Sequence, residues 1–164
     1  MDKIKILFVC LGNICRSPSA ETVFRHIVSR EGYENKIEID SSGTIGYHAG
    51  EKADARMRTH ALARGYNITH IARKFNAAKD FKHFDFIIGM DESNFSDLQS
   101  LDSKNEFSHK IKKMVQYSKN PKTKEVPDPY YSGPDGFENV LDILEDACEN
   151  FFKEIKNEIA SKNN

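Results

Sequence analysis

Apolar positions along the chain change period several times, between short runs that read as strands and stripes that read as helices. The segment "IKILFVC" (Ile4–Cys10) is apolar on both faces toward its end, as a central parallel strand is. From Ser17 onward Ala20, Val23, Phe24, Ile27 and Val28 recur at helical spacing, with Pro18 in the first turn and Gly32 as a stop. A second strand is predicted over Ile37–Ser41, a weaker helix over Lys52–Arg64, and a third strand over Phe84–Met90. Asp91 then caps a helix opened by "DESNFSDLQSL". "HKIKKMVQY" reads as a fourth, short strand. The stripe Phe137, Val140, Leu141, Leu144, Cys148, Phe151, Phe152, Ile155 and Ile159 predicts a long C-terminal helix docked on the core. No repeat is visible, and the irregular stretch Ser118–Gly136 holds Pro121, Pro127, Pro129 and Pro134. Alternating strands and helices predict an α/β domain with a parallel sheet. Ligands in such sheets bind at the carboxyl ends of strands, and Cys10 sits at one.

Composition narrows the class. A length of 164 residues suits one domain, residues 1–164, with a real core. Lysine and arginine (24) nearly balance aspartate and glutamate (25), so no global charge favours nucleic acid or an anionic membrane. Lysines gather over residues 104–124 and acids over 135–149, which reads as two solvated faces or as a surface that steers acidic partners. No apolar run approaches the ~20 residues of a membrane span. "MDKIKILFVC" is expected to be a strand rather than a signal peptide, and the odd count of three cysteines points to a reducing cytoplasm.

The chemistry concentrates in "CLGNICRS", the predicted phosphate-binding loop between the first strand and the first helix. A tight loop here turns successive amides toward the helix N-terminus, and Gly12 and Asn13 are residue types that tolerate the positive φ of such a nest. Aligned amides and the helix dipole form an anion site sized for phosphate or sulfate. Arg16 adds a planar fork for two equatorial oxygens. The same field favours the thiolate of Cys10, and Ser17 can donate its hydroxyl to it. A nucleophile inside an anion cradle points to covalent phosphoryl transfer.

Other readings of the loop fit less well. Zinc on Cys10 and Cys15 needs two further ligands, and Cys148 lies on the core stripe. A dinucleotide fingerprint fails for want of glycines, and a nucleotide phosphate loop for want of its lysine. An aryl leaving group needs a proton, and "VPDPYY" supplies Asp128 between two prolines that restrict where its carboxylate points. Tyr130 and Tyr131 beside it wall a slot deep enough for a phenyl ring.

"FVCLGNICRSPSAE" resembles the signature loop of the low-molecular-weight protein tyrosine phosphatases, Cys-x5-Arg-Ser. The resemblance continues through "DSSGT", "HIAR", "FDFIIGMDESN" and "DPYY", over nearly the whole chain. It implies a three-layer fold with a four-stranded parallel sheet flanked by helices. It also implies a two-step mechanism without metal or other cofactor: Cys10 as nucleophile, Arg16 as phosphate clamp, Asp128 as general acid and then base. Leu11, Gly12, Asn13, Ile14, Cys15, Arg16 and Ser17 would hold phosphate or another oxyanion. Asn13 would fix the loop's left-handed turn, braced by Ser17, Ser41 and His70. Leu11, Tyr47, Tyr130 and Tyr131 would line the substrate pocket, and Cys15 would guard Cys10 against oxidation. Phosphotyrosine proteins and small aryl phosphates are the implied substrates, with neither nucleic acid nor membrane as partner. The family often carries prolines after the rim loop, where "EKADAR" has none. Arginine phosphatases of this fold carry threonine at the position of Ile14, so Ile14 favours phosphotyrosine. A thioredoxin-coupled arsenate reductase needs two further cysteines, for which Cys148 is a poor substitute. A non-catalytic phosphoprotein-binding module would need neither Cys10 nor Asp128.

Overall fold

Strand β1 (Ile4–Cys10) lies inside a parallel sheet, between β2 (Ile37–Gly43) and β3 (Phe86–Gly89), in a computed structural model that describes residues 2–163. A three-residue β4 (Ile111–Lys113) pairs with β3, giving the order β2-β1-β3-β4. Both faces of β1 are covered. Ile4, Ile6, Phe8 and Cys10 enter one core cluster, and Leu7 and Val9 enter the other, which explains why this strand shows no polar alternation.

Helices α1 (Arg16–Arg30) and α5 (Pro134–Lys162) cover the first face. Phe24 of α1 packs edge-on against Phe8 at 5.6 Å between ring centroids and meets Phe151 of α5 at 5.2 Å. Truncating Phe24 to alanine would cost about 3–5 kcal/mol. Helix α2 (Ala55–Ala63) packs on α5. On the other face Phe81 of α3 (Ala77–His83) and Leu98 of α4 (Glu92–Leu101) meet Leu7, Val9 and Ile87. The result is the three-layer α/β arrangement. No helix among the described residues is long and apolar enough to cross a membrane.

The boundaries differ from the sequence reading in places. The third strand is four residues, because Phe84 caps α3 and Met90 leads into α4. Helix α2 starts only after Asp54, whose side chain accepts from Arg56 and Met57, and Lys52 instead bridges to Ile71. Helix α3 has no counterpart in the sequence reading. "HKIKKMVQY" is strand for three residues and then a 3-10 turn, Met114–Tyr117.

Candidate active site

The loop after β1 is held from behind by a hydrogen-bonded brace. Asn13 has φ 59°, a left-handed conformation that asparagine tolerates better than most residues. Its Nδ2 donates to Ser17 Oγ at 2.8 Å and to Ser41 Oγ at 3.0 Å. Its Oδ1 accepts the Arg73 amide at 2.9 Å and faces His70 Nε2 at 2.8 Å. Ser41 donates in turn to Glu21 Oε1 at 2.7 Å, and His70 Nδ1 lies 3.1 Å from the same oxygen. Asn13, Ser17, Ser41 and His70 therefore meet behind the loop. Glu21 closes the brace, a role that its place on an apolar helix face gave no hint of.

Gly12 is a correction. It does not adopt positive φ; only Asn13 does so in this loop. A Cβ on Gly12 would come within 3.0 Å of His48, so side-wall space is what Gly12 supplies. Backbone approach makes the stronger demand at Gly43, where a Cβ would stand 2.6 Å from the Leu11 carbonyl oxygen. This lets the chain after β2 run beside the loop, with Thr44 N donating to Cys10 O at 2.9 Å and Ile45 N to Leu11 O at 3.1 Å.

Cys10 ends β1 with its sulfur inside the cradle. Sγ lies 3.0 Å from Ser17 Oγ and accepts the Asn13 amide at 3.3 Å. Helix α1 begins directly beyond, and its N-cap residue Cys15 makes no side-chain cap bond, which leaves the first-turn amides to face an anion. Burial pushes the Cys15 thiol far up, reinforced by Asp54, Cys10 and Asp128, so it stays protonated. The two cysteines of the loop thus have unlike surroundings, and all three in the chain are free thiols.

Arg16 is 2% exposed. Burial alone would lower its basicity, but Cys10 and Asp91 hold the guanidinium charged. Nη1 donates to Asp91 Oδ2 at 2.5 Å and to the Val126 carbonyl at 3.1 Å. Nη2 stays 3.7 Å from Asp128 Oδ2 and is turned toward the cleft. Val126 is fully buried, and its amide donates to Met90 O at 2.9 Å, which ties the Asp128 loop to the end of β3. Asp91 does cap α4, its Oδ1 accepting the Asn94 amide at 2.8 Å, but its other oxygen holds Arg16. That second use is invisible in sequence.

Asp128 is on the opposite wall, with its side chain 44% exposed. Its Oδ1 accepts the Tyr130 amide at 3.0 Å. Cys10, Arg16 and Asp128 open on one cleft of about 300 Å³. Leu11, Gly12, Ile14 and Cys15 form its floor and near wall, while Tyr47, Tyr130 and Tyr131 line its sides. Tyr130 is half-buried; Tyr47 and Tyr131 are 83% and 94% exposed and stand at the rim. Ile45 and His48 complete the lining, and only the three-dimensional path after β2 brings them there.

Residues 5–161 match the family described as low molecular weight phosphotyrosine protein phosphatase. The chain belongs to that family. It is 41% identical to the low molecular weight phosphotyrosine protein phosphatase of Schizosaccharomyces pombe, over 93% of this chain and 97% of that one. A crystal structure of a protein tyrosine phosphatase from Entamoeba histolytica, with Hepes in its active site, superposes with a TM-score of 0.91 at 46% identity, covering 94% and 98% of the two chains. A Drosophila arginine phosphatase has the same fold, with a TM-score of 0.87 at 30% identity, covering 93% and 98%.

Proposed function

We propose that this phosphatase hydrolyses phosphotyrosine and small aryl phosphates in the cytoplasm through a phosphocysteine intermediate. Cys10 Sγ, facing the Asn13 amide and Ser17, attacks phosphorus in line. The P–S bond forms as the P–O bond to the aryl group breaks. The departing oxygen takes the electron pair and a proton from Asp128. Arg16 and the amides from Leu11 to Ser17 hold the three non-bridging oxygens, whose charge they meet in a site already arranged for it. In the second step Asp128 takes a proton from water, water oxygen bonds to phosphorus, and the P–S pair returns to Cys10. Inorganic phosphate leaves.

The single observation that carries this reading is the convergence on one cleft of Cys10 and Arg16, from the loop after β1, with Asp128, more than a hundred residues further along the chain. Ile14 is buried and lines the cleft with an apolar side chain that offers a guanidinium no polar partner, and Tyr130 lines it with an aromatic one that suits an aryl substrate. Both favour phosphotyrosine over phosphoarginine. Cys15 serves as a redox guard: peroxide oxidises the Cys10 thiolate to sulfenic acid, and the Cys15 thiol displaces water from it to form a disulfide.

The test is a panel of phosphotyrosine, phosphoserine and phosphoarginine peptides with Cys10→Ser as control. Turnover of phosphotyrosine alone, abolished in Cys10→Ser, is expected. Preferred release from phosphoarginine, or activity surviving in Cys10→Ser, overturns the reading.

A further inference from the structure

Asp128 is more exposed than Cys10 or Arg16, and it sits on a segment outside the sheet. An acid must be within hydrogen-bond reach of the leaving oxygen, and an error near 1 Å costs about 10²-fold. Something must therefore hold this segment in place. Pro127 and Pro129 limit its backbone, Val126 anchors its upstream end, and the Tyr130 amide supports the carboxylate itself.

The Tyr130 ring has a charged neighbour. The Arg56 guanidinium carbon lies 5.3 Å from the centroid of Tyr130 and 5.0 Å from that of Phe137. Phe137 is buried near the start of α5, so the half-exposed guanidinium lies over both a fixed ring and the ring next to the acid. Arg56 is itself aimed from one side. Its Nε and Nη2 fork onto Asp54 Oδ1 and Oδ2 at 3.2 and 2.9 Å. The same Asp54 caps α2, with Oδ1 accepting the Arg56 and Met57 amides, and its own amide donates to the Ile14 carbonyl at 2.8 Å. A continuous chain of contacts thus runs from the phosphate loop through Asp54 and Arg56 to Tyr130 and on to Asp128.

We propose that Arg56 is a positioning residue for the general acid: it fixes the Tyr130 ring and, through the Tyr130 amide, the Asp128 carboxylate. An ordinary surface ion pair between Asp54 and Arg56 would account for the fork. It would not account for the guanidinium lying over two rings from other segments. A planar, delocalised cation suits both tasks at once, forking onto a carboxylate in its plane and stacking on rings with its faces. Lysine can do only part of this.

The proposal rests on Asp128 being the acid, and the test separates the two claims. kcat/KM, which covers the steps up to phenol release, is measured for phenyl phosphate and dinitrophenyl phosphate with wild type, Arg56→Ala, Arg56→Lys, Asp128→Asn and the Arg56→Ala/Asp128→Asn double variant. The poor leaving group needs the acid and the good one does not. Arg56→Ala should slow phenyl phosphate on the order of 10-fold more than dinitrophenyl phosphate. Arg56→Lys, which keeps the charge, should lose less and serves in place of the alanine variant if that fails to fold. In the Asp128→Asn background Arg56→Ala should add little selectivity. Equal losses on both substrates, or a full additional effect in that background, overturn the positioning role while leaving Asp128 as the acid. An Asp128→Asn variant that slows both substrates equally overturns the acid assignment, and the positioning role with it.

Discussion

Arg16 and Asp91 meet at 2.5 Å across the carboxyl edge of the sheet, one from the first turn of α1 and the other from the cap of α4. The pair fixes one arm of the guanidinium and leaves the other facing the cleft. Asp91→Ala strands a buried cation, which should cost about 3 kcal/mol of stability. Asp91→Asn keeps the shape and a cap while removing the charge, so its milder fold loss leaves catalysis readable. Inhibition by inorganic phosphate should weaken and kcat/KM should fall together, on the order of 10-fold. Unchanged phosphate affinity would mean that Arg16 is positioned without Asp91.

Asn13 serves the loop twice, by its left-handed backbone and by its side-chain bonds. Asn13→Gly keeps the first and deletes the second, while Asn13→Ala deletes both. Each should lower kcat/KM by roughly 10-fold or more, and the alanine variant should be less stable than the glycine one by about 1 kcal/mol. A fully active Asn13→Gly protein would assign the residue to backbone geometry alone.

How much of this was legible beforehand depends on the reach of each interaction. Cys10, Arg16 and Ser17 belong to one loop, and a strand running into a helix announces itself by period. Asp128 was legible because its flanking prolines and tyrosines mark it. Asp91, Glu21, Arg73 and Val126 act on residues 20 to 110 positions away, and a side chain's partner across a sheet leaves no local signal. Gly12 differs from its expectation for a related reason. Glycine signals either positive φ or lack of room, and only the fold, which brings His48 against it, says which. Helix α3 leaves no signal in the sequence because seven residues give less than two clear repeats of an apolar stripe.

Stability should decline on the alkaline side. Burial, with neighbouring carboxylates, pushes the thiols of Cys15 and Cys148 and the phenols of Tyr66 and Tyr117 up in the folded state. The unfolded chain releases these protons first, the thiols from about pH 8.5. Above that pH the unfolded state binds fewer protons than the folded one, so stability is full below it and falls as pH rises. The slope should reach at most about 1.4 kcal/mol per pH unit for each thiol. Urea unfolding at pH 7, 9 and 10 measures it, and Cys148→Ala should show a shallower decline than wild type. Parallel pH profiles would contradict this account.

The central claim is that phosphate passes through Cys10. The direct measurement is the intact mass of the enzyme, acid-quenched within a turnover of an aryl phosphate, followed by peptide mapping. The account predicts a protein heavier by one phosphoryl group, mapped to Cys10 and absent from Cys10→Ser. Turnover with no adduct, or an adduct on another residue, would contradict it.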